Sequence, residues 1–431
     1  MSLPSRAIFS HAAMLHHLYN AIWYPALPFA LIAGGGDLRA RLGRGVDALH
    51  INGGPRLWLH AASVGEVEAI SMLAAALMNE LPDAAVIVTT MTATGLAAAR
   101  RRIPKPAVHR LAPLDHPGAV RSFVERVRPD LVLVAETELW PNYFAETRRA
   151  GARIAIVNGR ISKRSFSRYR WLRPLFSEML AHTDLVLAQT EADARRYREL
   201  GAPGSRVVVA GNTKFDLAAL SPPPLRPALA RLADERRLVI AGSTAPGEEA
   251  IVIKAWRTIS ASFPDTVLIL APRHLNRLSE IEALISAAGF TYEKASALPD
   301  VSLTASVVIL DTIGELRSLY YRARLAFVGG SLAQGRGGQS LAEPAAAAIP
   351  VLFGPFHESQ AQIAGALIRM GGGRIAGSAG ELAGEITDLL EHEQRRADAG
   401  AGARRALESL GGGVAASLPL LKELANQRKS C

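Results

Sequence analysis

The 431-residue chain holds one cysteine, Cys431, its last residue. That excludes a disulfide framework and any zinc site built on cysteines, and it fits a reducing compartment. Other signatures are missing too. No G-x-x-x-x-G-K-[ST] occurs, so a P-loop is unsupported, and no G-x-G-x-x-G follows the first strand of either half, which argues against a dinucleotide oxidoreductase. Neither G-x-S-x-G nor H-E-x-x-H is present, which removes the usual hydrolase and zincin readings. The 11 histidines are scattered without ligand spacing, so no metal is expected. Acidic residues are the scarcer charge: 39 Asp+Glu against 49 Lys+Arg leave a net +10. Such an excess points to an anionic partner, be it nucleic acid, anionic lipid or a phosphorylated substrate.

Charge is absent altogether from Ala7 to Gly36, and Ala21–Ala33 (AIWYPALPFALIA) is almost wholly apolar. A spanning helix needs about 20 apolar residues, and His11, His16, His17, Asn20, Pro25 and Pro28 interrupt this stretch. Arg39, Arg41 and Arg44 follow the apolar run instead of preceding it, unlike the order in a cleaved signal peptide. Membrane attachment, spanning or in plane, is the expectation. A buried helix of the first domain is the competing reading.

The length exceeds what one core supports, so two domains are expected. With 49% hydrophobic and 20% charged residues the chain is globular in composition. Short β-branched runs alternate with helical patterns. In the first half they are Leu57–His60, Val86–Thr90, Leu131–Ala135, Ile154–Val157, Leu185–Gln189 and Val207–Ala210. Pro222, Pro223, Pro224 and Pro227 break the pattern as a linker does. It resumes with Leu238–Ala241, Val267–Ala271, Val307–Leu310, Leu325–Val328 and Val351–Phe353. This alternation predicts α/β architecture: two doubly wound, Rossmann-like domains of parallel strands facing a cleft, with ligands at the carboxyl ends of strands. The expected boundaries are a membrane-associating segment at 1–36, a first domain at 37–216, a linker at 217–230 and a second domain at 231–431.

Polar residues gather at the strand ends. His60-Ala61-Ala62-Ser63-Val64-Gly65-Glu66 leads into a helix, where Glu66 can serve as a general base or simply favour the helix start. Ala135-Glu136-Thr137-Glu138 puts two acids at the end of an apolar strand, where charge needs a partner or a ligand. Lys214, in Gly211-Asn212-Thr213-Lys214-Phe215-Asp216, can meet a leaving group's charge or form an interdomain salt bridge. Between Arg160 and Arg173, six basic residues are interleaved with Phe166, Tyr169 and Trp171, a composition suited to anionic headgroups. Nothing else resembles a nucleic-acid reader. In the second half, Gly242-Ser243-Thr244, Pro272-Arg273-His274, Asp311-Thr312-Ile313-Gly314-Glu315 and the Gly-rich run ending in Ser340-Leu341-Ala342-Glu343 form four successive turns, which together suit a nucleotide.

These motifs resemble the Kdo (3-deoxy-D-manno-octulosonic acid) transferases of Gram-negative bacteria, enzymes of GT-B fold. The resemblance runs through SVGE (63–66), TTMTATG (89–95), AETELWPN (135–142), NGRIS (158–162), TKFD (213–216), PRH (272–274), GEL (314–316) and VGGSL (328–332). It implies inverting, metal-independent transfer of Kdo from CMP-Kdo to a lipid A precursor, at the cytoplasmic face of the inner membrane and without a cofactor. It also implies that Glu66 is the base and that Glu136 and Lys214 stabilise the transition state. CMP contacts would fall at Pro272 and Arg273, at Ile313, Gly314 and Glu315, and at Ser340, Leu341, Ala342 and Glu343. One departure stands out: the family's R-G-G-H-N-x-L-E reads Arg336-Gly337-Gly338-Gln339-Ser340-Leu341-Ala342-Glu343 here. Three alternatives remain open at this point. They are a GT-B enzyme with another sugar nucleotide, a nucleotide-sugar epimerase, and a non-catalytic nucleotide-binding scaffold.

Overall fold

The computed structural model describes residues 11–33, 37–44, 54–103, 106–219, 222–298 and 305–427. Residues 1–10 and 34–36 of the expected membrane segment, and 220–221 of the linker, lie outside them. Two compact units emerge: Met1–Lys214 with Gly411–Cys431, and Phe215–Leu410. The last 21 residues therefore group with the first unit, whereas the range expected for the second domain, 231–431, includes them. The reason is packing: helix Gly413–Asn426 lies on helix Val64–Glu80, and its Leu421 and Ala425 are buried in the first unit's core.

The first unit holds β1 (Arg56–His60), β2 (Ala85–Thr90), β3 (Val108–Leu111), β4 (Leu131–Ala135), β5 (Arg153–Gly159), β6 (Leu185–Ala188) and β7 (Val207–Val209) in the order 3-2-1-4-5-6-7. Every neighbouring pair is parallel. The second unit holds β8 (Arg237–Thr244), β9 (Thr266–Pro272), β10 (Tyr292–Lys294), β11 (Val307–Ile309), β12 (Ala323–Val328), β13 (Val351–Phe353) and β14 (Gly373–Ile375), also all parallel, in the order 10-11-9-8-12-13-14.

Side-chain alternation splits the central strands between two cores. Trp58, Val132, Val134, Ile154 and Ile156 enter one; Leu57, Leu59, Leu131, Leu133 and Ala155 enter the other. A sheet buried on both faces needs such continuous apolar strands. In each sheet the chain reverses its winding once, between β1 and β4 and between β8 and β12. Those two switch points, at the carboxyl ends of the strands, are where doubly wound sheets bind ligands.

Helix His11–Ala33 carries Pro25 and Pro28 within it. One face is tied to the first unit. Tyr19 Oη donates to Asp115 (2.8 Å), Asn142 Nδ2 donates to Asn20 Oδ1 (2.8 Å), and His16 Nε2 pairs with Asn142 Oδ1 (3.0 Å). Met14, Leu18, Ile22, Phe29 and Ile32 remain exposed on the other side. Among the described residues no helix is long and apolar enough to cross a membrane.

Asp115 is the buried anchor. Its carboxyl also accepts the Asn142 and Tyr143 amides at 3.2 and 3.0 Å, and burial pushes its pKa up to about 7. Asp115→Ala leaves those buried donors unsatisfied. We expect a loss of about 2–3 kcal/mol in denaturant unfolding, since an orphaned buried donor costs roughly that much.

Candidate active site

Glu66 lies beside the first sheet's switch point. β1 ends at His60, Ser63 occupies the N-cap, and Glu66 falls in the first turn of helix Val64–Glu80. Ser-x-x-Glu is the capping-box sequence, yet Ser63 makes no side-chain cap here. Instead the Glu66 carboxylate accepts the Ala62 amide (2.5 Å) and the Ser63 hydroxyl (3.3 Å). Burial pushes Glu66 up to about 7, and the neighbouring charges of Glu138 and Glu136 push the same way against those two hydrogen bonds. A carboxyl poised near neutrality at a strand end is the property a general base requires.

Across the switch point, β4 gives way to Glu136, whose backbone is left-handed (φ 47°). A side chain there costs on the order of 1–3 kcal/mol unless the surroundings over-determine it. They do: the Glu136 amide donates to Val157 O (2.9 Å), and Tyr197 Oη donates to Glu136 O (2.7 Å). The Glu136 carboxylate then meets Lys214 Nζ at 2.8 Å and the Asn158 amide at 3.5 Å. Lys214 thus pairs within the first unit.

Glu138 faces a different set. Burial raises its carboxyl, but the nearby His60 ring and the Trp140 Nε1–H (2.7 Å) outweigh burial and hold it below the usual range. His60 is fully buried, with Nδ1 on Thr89 Oγ1 (2.9 Å) and Nε2 3.8 Å from Glu138.

Two participants carried no role in the sequence pattern. Glu138 was visible only as the second acid of a strand end. Asn158, buried and left-handed (φ 52°), bonds Glu136 and accepts the Thr213 amide (3.1 Å), while Asn212 Oδ1 accepts the Lys214 amide (3.0 Å). Asparagine tolerates the left-handed region better than most residues, and that was the available signal within NGRIS.

The nucleotide candidates all lie in the second unit, at the carboxyl ends of its strands. Pro272 closes β9; Arg273 is exposed, its amide donating to Thr244 O (2.9 Å). Ile313 and Gly314 follow β11, with Ile313 80% exposed and Gly314 at φ 99°. Glu315 is gripped by Arg226 through two bonds (2.7 and 3.0 Å), and it also accepts the Thr312 hydroxyl. Ser340 is exposed, whereas Leu341 and Ala342 are buried in the core, so only their main chain is available to a ligand. Glu343 stands in the first turn of helix Ala342–Ala346. Of the two departures from the family pattern, Gln339 packs its side chain against Gly330, where an added Cβ would lie 3.1 Å away. Among the described residues no group of three His, Cys, Asp or Glu could hold a metal.

The profile described as 3-deoxy-D-manno-octulosonic-acid transferase (kdotransferase) matches residues 36–217. The Kdo transferase of Haemophilus influenzae is 31% identical, over 85% of this chain and 86% of its own. That of Bordetella pertussis is 39% identical, over 69% and 71%. The chain belongs to the Kdo transferase family. It is accordingly a glycosyltransferase. A solved UDP-N-acetylglucosamine 2-epimerase shares the fold at TM-score 0.58 and 13% identity, covering 86% of this chain and 96% of that one. This likeness shows fold alone, the GT-B type of two doubly wound units. Since that fold also carries epimerases, the family relationship, and not the architecture, speaks for transfer.

Proposed function

We propose that the protein transfers Kdo from CMP-Kdo to a hydroxyl of a lipid A precursor, with inversion and without a metal ion. The observation that carries this reading is Glu66 at the first sheet's switch point, with its pKa pushed up to about 7 beside Glu136 and Lys214. Glu66 takes the acceptor hydroxyl's proton as the new glycosidic C–O bond forms. The bond from the anomeric carbon to the CMP phosphate breaks, and CMP departs with the electron pair. One displacement on one face inverts the anomeric carbon. Lys214 answers negative charge as it develops, while the Arg273 guanidinium, exposed at the end of β9, and the main chain of 340–343 hold the nucleotide.

A lipid acceptor requires access to a bilayer surface. The exposed stripe of Met14, Leu18, Ile22, Phe29 and Ile32 supports in-plane contact, as does helix Lys163–Trp171. That helix buries none of its residues; Phe166 and Tyr169 are half-buried against the core, and Trp171 is 88% exposed. An inner-membrane, cytoplasmic-face location follows from this reading, with anionic lipid as the counterpart of the basic helix.

Mass spectrometry of a lipid A precursor incubated with the protein and CMP-Kdo tests the reaction. The expected product is heavier by one or more Kdo residues, with one CMP released per sugar. CMP release without a heavier lipid would sink the acceptor assignment. In parallel, Trp171→Glu combined with Lys163→Glu and Arg168→Glu should weaken co-sedimentation with phosphatidylglycerol vesicles while leaving CMP binding intact. Undiminished sedimentation would remove this helix from the membrane surface.

A further inference from the structure

We infer that Glu248 is a positioning residue for the nucleotide loop, its carboxylate filling a backbone nest at the second sheet's switch point and thereby fixing residues 329–343. The inference rests on the assignment of the nucleotide to 340–343. Glu248, 1% exposed, opens helix Glu248–Ser262. Its Oε2 accepts the amides of Ala245 (2.8 Å) and Gly330 (2.7 Å); its Oε1 accepts those of Ser331 and Leu332 (both 2.8 Å). Three successive amides converging on one acceptor, with Gly330 left-handed at φ 71°, form the concavity that backbones use to bind anions. Here the chain supplies the anion itself, so the loop is organised before any phosphate arrives.

From the nest, order passes along the chain. The Gly338 amide donates to Gly330 O (2.8 Å) and the Gln339 amide to Gly329 O (3.0 Å), and Ser340 follows at once. Gly329 is pressed so close that an added Cβ would lie 2.6 Å from Glu248 Oε2. Only a carboxylate offers both oxygens as acceptors; glutamine would turn an NH2 group against two of the same donors.

The test uses the full-length protein with CMP as probe, calorimetry for affinity and hydrogen exchange for the amides of 330–340. Glu248→Ala should weaken CMP binding by about tenfold or more and speed exchange at 330–332 and 338–339. Formate, entering the vacated nest, should restore part of both. Glu248→Gln should lose affinity without formate rescue, because its amide still occupies the space. Glu248→Asp, retaining the carboxylate, should bind CMP better than either. The pH profile of transfer, set by Glu66, should not move. A folded Glu248→Ala protein with unchanged CMP affinity and unchanged exchange would overturn the proposal. Should the wild-type protein fail to bind CMP, the nucleotide assignment falls. Exchange then decides for Glu248: protection lost in Glu248→Ala and regained with formate keeps its hold on the loop, and unchanged protection removes it.

Discussion

Glu66→Gln is expected to lower turnover by about 10²- to 10⁴-fold, the range a positioned general base contributes, with CMP affinity unchanged. The amide preserves the shape and can still accept the Ala62 amide that the carboxylate takes at 2.5 Å. What it cannot do is take a proton. A Glu kept only to favour the start of helix Val64–Glu80 would behave in the opposite way. Its replacement would cost a few tenths of a kcal/mol, up to about 1 kcal/mol, and turnover would be untouched. Steady-state kinetics with a lipid A precursor, beside thermal unfolding of the same preparations, separates the two. Glu66→Asp should recover little, because its carboxylate is withdrawn by one methylene from a geometry that tolerates small error.

Lys214→Met carries the second large effect, about 10²- to 10³-fold in turnover, typical for removing a preorganised electrostatic contact. The ammonium is pinned at 2.8 Å by Glu136, which is itself held in a left-handed backbone by Tyr197 and bonded by Asn158. The left-handed backbone stores strain at Glu136, as functional sites often do. Glu136→Gly should therefore leave unfolding stability unharmed while losing most of the turnover. Because Glu136 and Lys214 act as a pair, the double variant should be far less impaired than the product of the two single losses. A Glu136→Gly protein that is destabilised and fully active would reverse this assignment.

The central strands were legible because strands buried on both faces are nearly continuous apolar runs, as in LVLVA of β4. The three strands that the alternation missed, β3 (VHRL), β10 (YEK) and β14 (GRI), all lie at sheet edges. One side of an edge strand has no partner, so its side chains need not be apolar. Helix Gly413–Asn426 returns to the first unit through long-range packing of Leu421 and Ala425, which local pattern does not encode. At the site, Glu66, Glu136 and Lys214 stood out as polar residues at strand ends. Their electrostatics did not, because the charges of Glu138 and Glu136 reach Glu66 only after β1 and β4 have paired. Leu341 and Ala342 came with a contiguous motif, and folding turned their side chains inward. Glu248 was silent because its partners at 330–332 lie some eighty residues away.

The pH dependence of kcat/KM tests the role of Glu66 most directly. A base must be ionised in the free enzyme, so with its pKa at about 7 activity should climb as pH rises through 7 and then level off. Glu138→Gln removes a negative neighbour that raises Glu66, so the climb should move to lower pH in that variant. Glu66→Gln should leave a low, flat profile over the same range. An ascending limb that persists unchanged in Glu66→Gln would assign the proton to another group and contradict the mechanism.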